Sequence, residues 1–561
     1  MTMRTGAETV IFWGAGATAS IGLRTTQYQA TAIRNLASSE ATQSLSDRVT
    51  AALDKSGAWV KPLTDLLLVL GDDTEKIHQI SPDACLAMGR HWCDAADESL
   101  NERIHELRAL YDWPALKAVV RACPSFMDGQ RFQLPDVFNL IDLHAQSYNG
   151  FPVKGQFLSP HRLMAARRAL QLVLNTLFFV DWQTALSGDR VELQKHLDFA
   201  RLLTEHHQQR GLALAAEGKH FDTRDFYLGD VTFVSLNYDP VALWAQIIAN
   251  KEANDSNPPC VDVPRVPLKM FSDFGMFIAV STIDPKNGPK QDKERVWYPL
   301  NEASAQRLND RDHSSRRVRI NKFLFPHGCL CWRECPSCGK FTAYMGQQWE
   351  FFSHALIPPP PMRGFAQQAS LLDVIKPETD EEQQAWDRGE TDARACVHCN
   401  VMTYAHHTQV IMQSNFKQAP PSFIAEVQRD LRVVTQSANH IILMGYSLPP
   451  DDVTYRAFFA ARKQVADKIS STSTNEEVHC SVVVGTGFGD HWYYPTEITD
   501  LLQFSDKMKP GESPRTALEA ACDIFGCDNV RFYGGGIPQV FCDGANASAG
   551  RLQQLINWQR N

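Results

Sequence analysis

The chain has 561 residues, of which 44% are hydrophobic and 21% charged, and it carries a formal net charge of −9. That length and composition describe a folded protein of several structural units and exclude a disordered one. The acidic balance gives no global reason to bind nucleic acid or an anionic membrane, and the local basic run from Arg311 to Lys322 reads as a solvated face.

The first element in chain order is a short apolar strand at 8–13 (ETVIFW), which runs straight into Gly14-Ala15-Gly16-Ala17-Thr18-Ala19-Ser20. Without a cleavage site it reads as a β-strand and not a signal peptide. Strand, glycine turn and following helix are the opening of a nucleotide-binding unit, although the two glycines alone leave NAD, FAD and a ligand-free turn all open. From about 30 to 225 the spacing of apolar residues predicts helices, for example at 97–111, 135–144 and 160–179, so this part reads as a helical insertion. Its most apolar stretch, Leu170 to Val180, is too short to span a bilayer. The expectation is a cytoplasmic protein without a membrane partner.

Short apolar runs return at 230–236, 321–325, 440–444, 481–484 and 530–533. Each ends in a small or polar cluster: Asn237-Tyr238-Asp239-Pro240, Pro326-His327-Gly328, Gly445-Tyr446-Ser447, Gly485-Thr486-Gly487 and Gly534-Gly535-Gly536. Strands of this kind with helices between them imply an α/β fold with a Rossmann-like parallel sheet and a ligand site at the strands' carboxyl ends. The Pro-rich breaks at 257–267 and 356–364 read as loops. The expected organisation is a discontinuous core (1–30, 225–328 and 406–545), the helical insertion (31–224), a cysteine module (329–405) and a helical tail (546–561).

Cys335-Pro-Ser-Cys338 and Cys396-Val-His-Cys399 are two CxxC knuckles. Each places two thiolates on one tight turn at the bite that tetrahedral zinc requires, and four thiolates leave no open position, as in a structural zinc ribbon. The alternatives are free thiols or a redox pair. The other cysteines read as buried or incidental thiols, since a large chain without a secretion signal has no disulfide framework.

Taken together, GAGATAS, LNYD (236–239), PHG (326–328), the paired CxxC knuckles and GYSLPPDD (445–452) stand in an order that resembles the sirtuin family, especially its divergent bacterial branch from anti-phage defence. The resemblance implies NAD⁺ as substrate and a structural Zn²⁺ on Cys335, Cys338, Cys396 and Cys399. It implies that Gly14, Ala15 and Gly16 admit the pyrophosphate at a helix N-terminus, with Thr18 and Ser20 adding hydroxyls. It implies that Asn237 and Asp239 hold the ribose and the nicotinamide amide, that His327 is the catalytic histidine, and that Gly445, Ser447 and Gly485 line the adenosine side. Arg24 stands three residues before the place of the family's first-motif arginine, which is Gln27 here. On the residues alone, Asn237 and Asp239 also fit a helix cap before Pro240, and His327 a turn.

The nucleophile distinguishes a deacylase from a glycohydrolase. The family's peptide clamps correspond to Val410–Lys417, which lacks the usual glycine and acid, and to Pro449-Pro450-Asp451-Asp452, whose prolines lack backbone donors. Asp452 and Arg456, four apart, read as an ordinary surface pair at a helix start. The expectation is therefore an NAD⁺ glycohydrolase effector, homo-oligomeric, awaiting a trigger or a protein partner such as an ATPase.

Overall fold

The computed structural model describes residues 8–38, 41–52, 111–129, 131–153, 155–217, 227–261, 266–273, 278–284, 288–290, 296–297, 317–330, 332–334, 341–344, 351–352, 356–357, 394–395, 402–403, 410, 414, 420, 422–450, 452–469, 478–495, 508–509 and 511–558. Numbering only the strands of its main sheet, these are β1 (Thr9–Trp13), β2 (Tyr227–Ser235), β3 (Cys260–Val261), β4 (Val266–Asp273), β5 (Arg317–Leu324), β6 (His440–Met444), β7 (His479–Val483), β8 (Gly485–Tyr493) and β9 (Val530–Gly535). Their spatial order is β8-β9-β7-β6-β1-β2-β5-β4-β3. Every pairing between β9 and β4 is parallel, and the two outermost strands, β8 and β3, run antiparallel to their neighbours.

The described helices are α1 (Thr26–Leu36), α2 (Ala41–Ala52), α3 (Trp113–Ala122), α4 (Leu134–Gln146), α5 (Pro160–Ser187), α6 (Val191–Ala216), α7 (Val241–Asp255), α8 (Ser422–Ser437), α9 (Val453–Ile469), α10 (Ser513–Phe525) and α11 (Ala549–Ile556). They cover both faces of the sheet, and β1 shows why. All five of its residues are buried, and successive side chains of a strand point to opposite faces. Phe12 meets Phe459 of α9 edge-on at 5.0 Å, while Trp13 stacks on Phe199 of α6 at 5.9 Å. A strand buried on both faces is mostly apolar, which is why VIFW and IILM read as unbroken apolar runs, each after a buried polar residue, Thr9 or His440.

All six strands expected from sequence are present and parallel. The helices expected at 135–144 and 160–179 are α4 and the first two-thirds of α5; residues 97–110 of the remaining one lie outside the described residues. Three sheet strands lie where loop or terminal turns were expected, β3 wholly within the break at 257–267. β4 lies at the close of the break at 257–267 and beyond it. β8 begins at Gly485, so this glycine belongs to an exposed edge strand and not to the end of β7. α5 is the one described helix long and apolar enough to cross a membrane, and 78% of its apolar window is buried inside the protein. Its side chains from Leu163 to Trp182 join the same core as the sheet.

Candidate functional site

β1 sits at the point where the strand order reverses. The chain passes from β1 to β2 on one side, extends through β4 and β5, and returns to β6 on the other. A crevice opens at the carboxyl ends of strands at such a reversal. The loops after β1, β2, β5 and β6 all gather at that end, and they carry most of the residues singled out above.

The loop after β1 is locked to the loop after β6. Gly14 N–H donates to Met444 O and Gly16 N–H to Gly445 O, each at 2.9 Å. A Cβ on Gly14 would stand 2.6 Å from Gly445 O, and one on Gly445, at φ +60°, would stand 2.2 Å from Ala17 N. Backbone-to-backbone packing thus dictates these glycines. The helix expected directly after the glycines is replaced by two 3₁₀ turns, Ala15–Ala17 and Ala19–Ile21, with α1 starting only at Thr26. Ser20 is exposed on the second turn and Ser447 is half-buried. Arg24 is paired with Asp181 of α5 at 3.2 Å and lies over the Tyr28 ring at 4.0 Å. Burial pushes the Asp181 carboxyl up to about 6, with Arg24 and Arg48 pulling the other way.

Thr18, Asn237 and Asp239 form one buried cluster. The Thr18 hydroxyl donates to Asp239 Oδ2 at 3.4 Å and accepts from Asn237 Nδ2 at 3.2 Å. Asp239 Oδ1 accepts the Val241 N–H at 3.1 Å, so it does cap α7 while also belonging to the cluster. Burial raises the Asp239 carboxyl to about 6, against the opposing pull of the Val241, Thr18 and Asn237 hydrogen bonds. Asp239 is thus a buried group that can gain or lose its proton near pH 6.

His327 follows β5 and is 4% exposed. Its Nδ1 lies 3.2 Å from Leu236 O, next to Asn237, and its Nε2 lies 2.8 Å from the Tyr455 hydroxyl. A carbonyl only accepts, so Nδ1 carries the proton, and whenever the ring is neutral Nε2 accepts from Tyr455. The Pro326-His327-Gly328 turn is fixed by Gly328 at φ +77°, which forms an isolated antiparallel bridge to Val410.

Sequence reasoning missed three neighbours of the cluster. Tyr455 lies on the first turn of α9. Asp452 is buried, not a surface residue, and accepts the Tyr446 hydroxyl at 2.6 Å; Arg456 donates to Leu448 O at 3.3 Å. His196 of α6 reaches the glycine loop, with Nε2 2.9 Å from Ala17 O. A tyrosine three residues after an acid at a helix start is a local signal for the Tyr455 position. His196 has none, since its partner is 179 residues away in sequence.

Cys335, Cys338, Cys396 and Cys399 lie outside the described residues, as do 411–413 and 415–417 of the expected clamp segment. Among the described residues no group of three or more His, Cys, Asp or Glu is placed to hold a metal ion. No protein-family model and no curated protein matches the chain.

Proposed function

We propose that this chain hydrolyses NAD⁺ to nicotinamide and ADP-ribose, with the crevice at the β1 reversal as its active site. The observation that carries this reading is the union, in one buried cluster at the carboxyl ends of β1 and β2, of Thr18, Asn237 and Asp239, with His327 bonded to the residue beside them. In the reaction the nicotinamide–ribose bond breaks, the electron pair leaves with the nicotinamide, and the ribose carbon takes on oxocarbenium character. Asn237 and Asp239 orient the amide and the ribose, and the ionised Asp239 carboxylate offsets the developing positive charge. His327 takes the proton lost by the attacking water at Nε2, the Tyr455 hydroxyl bonded to that nitrogen turning its own hydrogen aside for the transfer. Water adds to the ribose carbon and one proton is released to solvent.

NAD-dependent protein deacylation is the competing reading. It requires an extended segment to pair with an acyl-lysine peptide. Here the Asp452 N–H is instead bonded to Pro449 O at 3.0 Å, directly before α9. That observation favours water as the nucleophile. A non-catalytic NAD⁺ or ADP-ribose sensor would leave the bound nucleotide intact.

The remaining features of this reading follow the sirtuin resemblance. The Cys335, Cys338, Cys396 and Cys399 set has the soft, four-thiolate chemistry of a structural zinc ribbon. The protein acts in the cytoplasm as an NAD⁺-depleting effector of anti-phage defence, assembled with copies of itself and released by an activating partner such as an ATPase. Unregulated loss of NAD⁺ would harm the host, so an effector of this type needs a restraint. The test is product analysis after incubation with NAD⁺. Equimolar nicotinamide and ADP-ribose without any acylated peptide are expected; an acylated ADP-ribose product formed only with peptide would establish the deacylase instead.

A further inference from the structure

We infer that Tyr455 is the positioning residue of His327: its hydroxyl holds the imidazole Nε2 and, with Leu236 O on Nδ1, fixes one tautomer and one ring orientation in the crevice. This deepens the glycohydrolase reading and rests on it for its catalytic consequence.

The two hydrogen bonds act on opposite ends of the ring, at 3.2 Å and 2.8 Å. A neutral imidazole offers one donor and one acceptor, and here each has the matching partner. The Tyr455 ring is itself held on several sides. It meets Phe12 of β1, His327, Tyr446 and Phe458 in edge arrangements with centroids 6.4, 5.5, 6.3 and 6.2 Å away. A ring packed this way cannot swing without disturbing β1, so its hydroxyl is a fixed point. Burial pushes the Tyr455 phenol well above its ordinary range, with the charges of Asp452 and Tyr238 adding to the effect, so it stays a donor at neutral pH. Asp452 is in turn engaged by Tyr446, which joins the loop after β6 to the start of α9. The loops after β2, β5 and β6 are thereby tied through one imidazole.

Orientation of this kind matters most in the transition state, where a base 1 Å out of place loses rate and not affinity. The test uses the full chain with ring-¹⁵N-labelled histidine, the His327 signals being assigned by their loss in His327→Gln. Tyr455→Phe keeps the ring and its packing and removes only the hydroxyl. Wild type is expected to show a protonated Nδ1 and a hydrogen-bonded Nε2. In Tyr455→Phe the Nε2 resonance should move toward that of an unbonded nitrogen, with melting temperature little changed. For NAD⁺ cleavage, kcat should fall about tenfold with KM within about twofold. An unmoved Nε2 resonance, or a moved one with kcat unchanged in an active enzyme, overturns the inference. A moved resonance in Tyr455→Phe, with no NAD⁺ cleavage by wild type, supports the positioning independently of the glycohydrolase reading.

Discussion

At the residue scale, Asp239 shows how a site can carry a stability cost. Its buried carboxyl titrates near 6 in the folded chain, whereas an exposed aspartate titrates near 3.8. The folded state therefore holds this proton more tightly than the unfolded state. The resulting stabilisation is fully present below the unfolded value and is lost as pH rises through about 6. Asp181 has the same sign. Asp239→Asn removes the burden of a buried charge and retains an acceptor for the Val241 N–H. It should stabilise the protein at pH 8 by up to about 3 kcal/mol and by much less at pH 5, while abolishing NAD⁺ cleavage. Denaturant titrations of both proteins at the two pH values check the sign. Destabilisation that is larger at pH 8 than at pH 5 would show instead that the carboxylate, once ionised, is a net stabiliser. Gly445 makes the opposite case, since its cost lies in geometry alone. A Cβ there would meet Ala17 N at 2.2 Å in a left-handed conformation. Gly445→Ala should cost about 3 kcal/mol or more, read as a lowered urea midpoint.

At the scale of elements, the helical tail illustrates how a peripheral piece is held. Arg531 of β9 is 2% exposed, donates to Gln554 O and Leu555 O at 2.9 and 2.8 Å, and also donates to Ser481 Oγ at 2.7 Å. Thr9 and His440 take Ile556 O from the other side at 3.2 and 3.0 Å. The last carbonyls of α11 are thus capped by the first residues of three core strands. Arg531→Ala would strand these acceptors and remove the packing of the guanidinium over Trp492 at 4.1 Å. The expected loss is about 3 kcal/mol with faster amide exchange in α11; unchanged exchange would show that the helix is held by apolar packing alone. Cys335→Ser should release one zinc per chain and lower the melting temperature without a selective loss of kcat. Metal content by elemental analysis decides it, and unchanged metal would remove the four-cysteine assignment.

The elements also show what a sequence can reveal. β1, β6 and β7 are legible because strands buried on both faces are mostly apolar, with Thr9, His440 and Ser481 as buried polar exceptions. β8 was not, because GTGFGDHWY is an edge strand whose register with β9 shifts twice, so neither alternation nor apolar run marks it. The site divides in the same way. Asn237, Asp239 and His327 end strands, where polar residues interrupt apolar runs and stand out. Tyr455 and His196 sit on helices among other aromatics, and only the packing of α9 and α6 against β1 brings them to the crevice. The glycines were legible as a tight turn, but their reason lies in a contact between loops 429 positions apart, from Gly16 to Gly445.

At the scale of the whole molecule, the helices before β2 are joined to the sheet by more than the chain. α5 and α6 share its core, His196 holds the glycine loop, and Asp181 holds Arg24. A partner acting on these helices would thus have a physical route to the loop after β1. The proposed cleavage of NAD⁺, however, takes place at the loops after β1, β2 and β5. The most direct measurement is nicotinamide release from NAD⁺ by wild type, His327→Ala and Asn237→Ala, each with and without an acyl-lysine peptide. Peptide-independent release by wild type, reduced at least about a hundredfold in both variants, is the expected result. Release that requires the peptide, or that survives in His327→Ala, would contradict the account.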